Sequence, residues 1–243
     1  MNFDPKLMAT IGTSFITSLA AKGITGPAET INDLWKASFG YPIHYFSERR
    51  KIKYELNLKK FEKELTDKIL EIPKENIQEP KESIIGPALE ASKYYFEEEE
   101  IRKMFANLIA SSMDSTYNGL VQHSFVEIIK QLSPYDAKLF NNLEDIFDLY
   151  EDIPNGYYYS SETLPNSNLN AISLENLKKY GLIDIRYDYT VYEPRVSSLA
   201  KSESNPFQKL LSPRKEYDTK MSTYGHITEL GKAFKQVCIK DSL

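Results

Sequence analysis

Between Ile183 and Tyr192 the chain alternates strictly. Ile183, Ile185, Tyr187, Tyr189 and Val191 occupy one set of positions, and Asp184, Arg186, Asp188, Thr190 and Tyr192 the other. A period of two is the spacing of a strand with one buried face, and Gly181 just ahead of it is placed to end a helix that starts near Ser173 and packs through Leu174 and Leu177. A strand needs a partner for its backbone, and the extended piece Tyr224 to Thr228 returns to supply one. The stretch Arg195 to Thr223 between them is polar, broken by Pro206 and Pro213, and reads as a long loop. A final helix follows, with Leu230, Phe234, Val237 and Cys238 facing inward. Pro154, Asn155 and Gly156 open a further loop that carries Tyr157, Tyr158 and Tyr159.

Elsewhere the period is that of a helix. Leu7, Ile11, Phe15 and Leu19 are four apart in an uncharged stretch from Leu7 to Ala21, and Ile31, Leu34, Trp35 and Phe39 follow before a Gly40-Tyr41-Pro42 break. Glu48 to Ile69 reads as one long helix with Ile52, Leu56, Phe61, Leu65 and Ile69 near helical spacing, supported by Glu55/Lys59 and Glu64/Lys68 pairs. Pro73 and Pro80 mark the polar stretch near 71–82 as a linker. Gly86-Pro87 then opens a helix lined by Ala88, Leu89, Ser92, Tyr95 and Phe96. Ile101, Met104, Phe105, Leu108 and Ile109 form the regular stripe of the next helix, with Glu97 to Glu100 at its amino end, where acids suit the helix dipole. Phe125, Ile128, Ile129 and Leu132 form another stripe. Ser133-Pro134-Tyr135-Asp136 then starts a helix whose stripe is Ala137, Phe140, Leu143, Phe147 and Tyr150.

The fold class expected from these patterns is mainly α. A helical body over 1–132 is joined to a winged-helix-like α+β module over 133–243 with a long loop at 195–223. Such modules serve both DNA reading and protein contact.

Charge narrows the function. With 30 basic and 35 acidic side chains the net charge is −5, which disfavours generic binding to polyanions. The charge is uneven. Glu48 to Ile69 holds eight basic and five acidic residues, with Arg49, Arg50, Lys51 and Lys53 at its start, whereas Leu70 to Tyr150 holds seven basic and fifteen acidic. From Glu151 onward the counts are equal, and the helix before Gly181 offers only Lys178 and Lys179 against Glu175, so nucleic-acid binding has no support.

A lone cysteine, Cys238, forms no intramolecular disulfide and suits a reducing cytoplasm; its place on an apolar stripe makes it a small buried hydrophobe. His44, His123 and His226 stand far apart, in no metal-binding spacing, and no phosphate loop, dinucleotide turn or nucleophile elbow is present. No metal, no cofactor and no enzyme activity are expected, and Asp114, His123 and Ser124 make only a nominal hydrolytic set. The run Leu7 to Ala21 is too short to span a bilayer, about 22 Å as a helix against roughly 30 Å of hydrocarbon. A packed helix is favoured there over membrane contact or a signal peptide.

Ile84-Ile85-Gly86-Pro87-Ala88-Leu89-Glu90, the stretch Glu98 to Asp114, and His123 to Ala137 resemble the signature blocks of the Abi-alpha family of bacterial proteins. The resemblance covers roughly Leu34 to Phe234. It implies a role in abortive infection, in which a bacterial or prophage-encoded protein stops phage propagation by harming or arresting the infected cell. It brings no catalytic residues with it. The leading expectation is a non-enzymatic phage-defence protein that acts on a phage or host protein. Its surfaces are Arg49, Arg50, Lys51 and Lys53 on the long helix and the loop Tyr157, Tyr158 and Tyr159; the chain also has the option of a homo-oligomer. A winged-helix DNA-binding regulator and a membrane-acting toxin using 7–21 are the alternatives.

Overall fold

The computed structural model describes residues 17–39, 48–152, 156–159, 164, 167–192 and 218–239. The chain is mainly helical with one small antiparallel sheet. The helices are α1 (Gly26–Phe39), α2 (Glu48–Glu71), α3 (Glu82–Ser92), α4 (Glu99–Ser112), α5 (Ser124–Gln131), α6 (Pro134–Asn142), α7 (Ser167–Lys179) and α8 (Glu229–Phe234). The last runs directly into a π-helical turn, Lys235–Ile239. Strands β1 (Ile146–Asp152), β2 (Gly156–Tyr158), β3 (Ile183–Tyr192) and β4 (Asp218–Ile227) form a sheet in the order β2-β1-β4-β3.

The centre of the molecule is α4. Its stripe Ile101, Met104, Phe105, Leu108 and Ile109 is buried as expected, but Ala106, Asn107, Ala110 and Ser111 outside the stripe are buried too. A helix buried beyond its apolar stripe must be wrapped by several neighbours, and α2, α3, α5, α6 and the carboxy-terminal turn do the wrapping, leaving Glu99 and Lys103 exposed. Aromatic rings fill the gaps in two groups. Trp35 stacks on Phe61 with centroids 5.7 Å apart beside Phe39 and Phe96, and Phe125 meets Phe234 edge-on at 5.2 Å beside Phe140.

Several boundaries follow the sequence closely. Ser133 and Asp136 close a reciprocal capping box at the start of α6. Gly181, at φ +73°, ends α7, with Gly181 N–H donating to Lys178 O and Leu182 N–H to Leu177 O. Both are the bonds of a Schellman stop, which needs a residue that tolerates positive φ. The alternating segment is β3, in register with β4 from Ile183↔Ile227 to Tyr192↔Asp218.

Other expectations are corrected. The stripe drawn from Ala137 to Tyr150 as one helix is two elements: α6 ends at Asn142, and Phe147 and Leu149 are alternate inward residues of β1, with Ile146 and Tyr150 exposed. Residues 218–223, placed in the long loop, are the first half of β4; Arg195 to Tyr217 lie outside the described residues. Gly156, Tyr157 and Tyr158, read as loop, form β2 against β1. Helix α7 begins at Ser167, six residues before Ser173. Helix α3 begins at Glu82, so Pro87 sits in its second turn and denies the Ser83 carbonyl its usual donor; α3 stops at Ser92, short of Tyr95 and Phe96. Leu230 is more than a third exposed. Glu64 and Lys68 do not pair: Glu64 turns to Arg102 and Lys68 to Glu71. The polar stretch 71–82 is tied down by the Ile77↔Asp114 bridge and by Gln78, which bonds Ser112 O and Asn118.

Among the described residues no helix is long and apolar enough to cross a membrane. Leu19 is fully buried, while Leu7, Ile11, Phe15 and the Gly40-Tyr41-Pro42 break lie outside the described residues.

Candidate functional site

Three buried polar side chains on α4 bond to distant parts of the chain. Arg102 forks onto Glu64 of α2, with Nε to Oε2 at 2.9 Å and Nη2 to Oε1 at 2.7 Å, while its Nη1 donates to Phe96 O at 2.8 Å. On the succeeding turns, Asn107 Nδ2 donates to Cys238 O at 3.0 Å and Ser111 Oγ to Val237 O at 3.1 Å. The last carbonyls of any helix lack intrahelical donors. The i, i+4 pair Asn107 and Ser111 supplies two of them from a helix more than a hundred residues earlier. The π-helical turn is thereby sealed, and Cys238 within it is fully buried, which pushes its thiol pKa well up.

A cavity of about 210 Å³ opens between α4, α6 and this turn. Its wall includes Glu100, Lys103, Met104, Asn107, Lys138 and Asn141. Lys138 Nζ lies 3.0 Å from Glu100 Oε1, and Lys103 Nζ 2.5 Å from Glu99 Oε1. Asn107 is 5% exposed, and its Oδ1 has no hydrogen-bond partner. Among the described residues no group of three His, Cys, Asp or Glu is placed to hold a metal ion.

The second feature is the outer face of α2. The apolar residues expected as one stripe divide, because the step of five from Leu56 to Phe61 turns the helix by about 140° beyond a full turn. Phe61, Leu65 and Ile69 face the core and are fully buried, whereas Ile52 and Leu56 are 58% and 57% exposed. Lys53 beside them pairs with Glu97 at 2.6 Å. The helix spans Glu48–Glu71, so Arg49, Arg50 and Lys51 lie in its first turn; their side chains lie outside the described residues.

Tyr54 points the other way, its ring 5.5 Å from Phe96. Burial, reinforced by Glu90 and Tyr94, pushes its hydroxyl pKa up to about 12. An unfolded tyrosine ionises near about 10, so this contribution to stability is complete below pH 10 and is lost as pH rises from about 10 to 12. Tyr54→Phe is therefore expected to flatten the fall of the urea midpoint across that window. Identical slopes for the two proteins would refute the assignment.

Of the three tyrosines singled out, Tyr159 is half-buried, packs edge-on against Phe147 at 5.9 Å and its carbonyl accepts from Asn170; the side chains of Tyr157 and Tyr158 lie outside the described residues. The acids Glu97, Glu99 and Glu100 each pair with a different lysine, as a solvated helix start does. Asp114 does not join His123 and Ser124: its carboxylate accepts from Thr116 N and Oγ1. His123 instead meets Ser83 on the surface, Nε2 to Oγ at 3.0 Å.

The three sequence blocks quoted above fall on α3, α4 and α5 with the start of α6, which pack around one core and contain Arg102, Asn107 and Ser111. A family model for abortive infection alpha matches residues 53–238. The chain belongs to the abortive infection alpha family. No curated protein and no solved structure matches it. The stretch matched to the family begins at Lys53 on α2 and ends at Cys238, so it contains Leu56 but not Ile52, and all of the cavity's lining except Ile239.

Proposed function

We propose that this member of the abortive infection alpha family is a cytoplasmic, non-enzymatic protein that arrests the infected cell by docking a phage or host protein on the outer face of α2. The observation that carries the reading is the exposed pair Ile52 and Leu56, one turn apart, on the side of α2 turned away from the core. Large apolar side chains that a helix could have buried, left together in solvent, suit a partner surface. The run Arg49, Arg50, Lys51 and Lys53 around them selects a partner with an acidic rim about an apolar centre. The carboxy-terminal part is read as a winged-helix-like module used for protein contact. Helix α7 followed by the β3–β4 hairpin, with β1 beside β4, supports that reading. From Glu151 onward basic and acidic residues are equal in number, a balance that does not favour DNA reading.

Expressed with Ile52→Ser and Leu56→Ser together, the chain should lose phage protection, plaquing rising at least about tenfold, the loss expected when one apolar anchor leaves an interface. Both residues are exposed, so melting temperature should hardly move. Protection that survives in this variant, with host death unchanged, would reject the docking face. Purification of the wild type as a dimer that the variant abolishes would reassign the face to a second copy of the chain.

A further inference from the structure

Strand β3 runs for ten residues, Ile183–Tyr192, and among the described residues it has a paired neighbour on one side only, β4. The ladder sets what the other edge presents. Thr228 N–H donates to Leu182 O, whereas Ile227 N–H turns the other way, to Asp145 O just ahead of β1. Antiparallel bonding alternates along a strand, so in the register Ile183↔Ile227 the bonds to β4 fall on the even-numbered residues of β3. The N–H and C=O groups of Ile183, Ile185, Tyr187, Tyr189 and Val191 are therefore directed away from β4. Ile185 N–H shows this, since it bonds to Asp184 Oδ1 at 3.0 Å. A long strand with such an edge is a template for another strand, and the charged residues on it decide which strand is admitted.

The charges of β3 lie at Asp184, Arg186 and Asp188, all on the face opposite the buried Ile183 and Ile185. The Arg186 side chain is 60% exposed, with Nε 3.6 Å from Asp184 Oδ2, an open pair that contributes little and leaves the guanidinium available. Laid in parallel on β3 of a second copy, residue on residue, each charge would meet its own kind. An antiparallel pair centred on Arg186 sets arginine against arginine and Asp184 against Asp188, and one centred on Asp188 sets aspartate against aspartate. Centred on Tyr187, the same strands place Arg186 opposite Asp188 twice, by symmetry, and Asp184 opposite the uncharged Thr190. The apolar series matches as well, Ile183 with Val191 and Ile185 with Tyr189. In this register the outward-directed groups of the odd-numbered residues bond to one another. Arg186 and Asp188 then fall at the non-hydrogen-bonded positions, where opposed Cα atoms are only about 4.5 Å apart.

We propose that two copies of the chain join by their β3 edges, antiparallel and centred on Tyr187, as a two-fold dimer with one continuous sheet. The interface involves no residue of α2.

Sedimentation equilibrium of the full chain at tens of micromolar should give twice the 28.0 kDa mass of the chain. Arg186→Asp and Asp188→Arg each turn two attractions into two repulsions, and each should raise the dissociation constant at least about tenfold with the circular dichroism spectrum unchanged. Mixed in equal amounts, the two variants should associate with each other, because acidic 186 and 188 positions on one strand then face basic ones on the other. The chain carrying both substitutions should dimerise with itself again. A folding defect cannot produce that pattern. A monomeric wild type, a dimer indifferent to either charge reversal, or a failure of the two variants to associate would overturn the proposal. So would a dimer lost in the protein with Ile52→Ser and Leu56→Ser, which would put the interface on α2.

Discussion

Replacing Gly231 by alanine should lower global stability by at least about 3 kcal/mol, even though alanine is the better helix former by about 1 kcal/mol. Gly231 lies in the first turn of α8 and is buried. A Cβ there would stand 2.0 Å from Leu182 O and 2.8 Å from Ile227 Cγ2. Neither neighbour is free to retreat. Leu182 O accepts from Thr228 N at 3.0 Å and from Thr228 Oγ1 at 3.3 Å, and Leu182 N–H is committed to Leu177 O in the stop of α7. Relief therefore requires α8 to lift away from the α7–β3 corner, and the turn that follows α8 is the one sealed by Asn107 and Ser111. The urea midpoint should fall with the m-value unchanged. Gly86→Ala in α3 is the control: no atom lies within 4 Å of its Cβ position, so it should be neutral or stabilising by about 1 kcal/mol. A Gly231→Ala protein as stable as the wild type would mean that α8 does not pack as described.

The elements that could be read from the sequence are those whose pattern is local. Gly181 followed by ten alternating residues can hardly be anything but a helix stop and a strand, and Ser133-Pro134-Tyr135-Asp136 carries its capping chemistry within four residues. Strand β1 was hidden because no glycine or proline separates Leu143 from Ile146. Leu143, Phe147 and Tyr150 also happen to fall at helical spacing. The first half of β4 was hidden because its sequence, Asp218 to Ser222, is polar, and only pairing with β3 makes it a strand. On α2 the five-residue step at Leu56 was visible in the sequence, and counting angles would have separated Ile52 and Leu56 from the core face. The cavity was beyond reach. Asn107 and Ser111 flank the apolar stripe of α4, where polar residues ordinarily face water. Their partners, Cys238 O and Val237 O, are backbone groups at the far end of the chain. No local rule links a side chain to a carbonyl that distant.

Removing Arg102 is the other large effect expected. Its side chain is 6% exposed against 26% for Glu64, so the pair is mostly withdrawn from water, and three donors are satisfied at once by Glu64 Oε1, Glu64 Oε2 and Phe96 O. Breaking a buried pair from one side costs more than the pair itself contributes, because the remaining charge stays where water reaches it poorly. Arg102→Met keeps the length and apolar stem but leaves Glu64 and Phe96 O without donors. It should lose about 3 kcal/mol, discounted from the fully buried range because Glu64 is partly exposed. Arg102→Lys should recover only part of this, since one ammonium cannot reproduce a planar fork onto two carboxylate oxygens. The double variant Arg102→Met with Glu64→Leu is the decisive arm: with both charges gone it should regain more than half of the loss, and the difference is the coupling between α2 and α4. An Arg102→Met protein within about 0.5 kcal/mol of wild type would show the pair to be ornamental. The expected result reaches beyond stability. The fork sits on the inner side of α2 and fixes its roll about its own axis, and that roll turns Ile52 and Leu56 outward. Both the Arg102→Met protein and the equally folded double variant lack the fork, so both should protect less well against phage than the wild type if the roll is what the partner requires, whereas a loss confined to Arg102→Met would trace to the unpaired Glu64 charge.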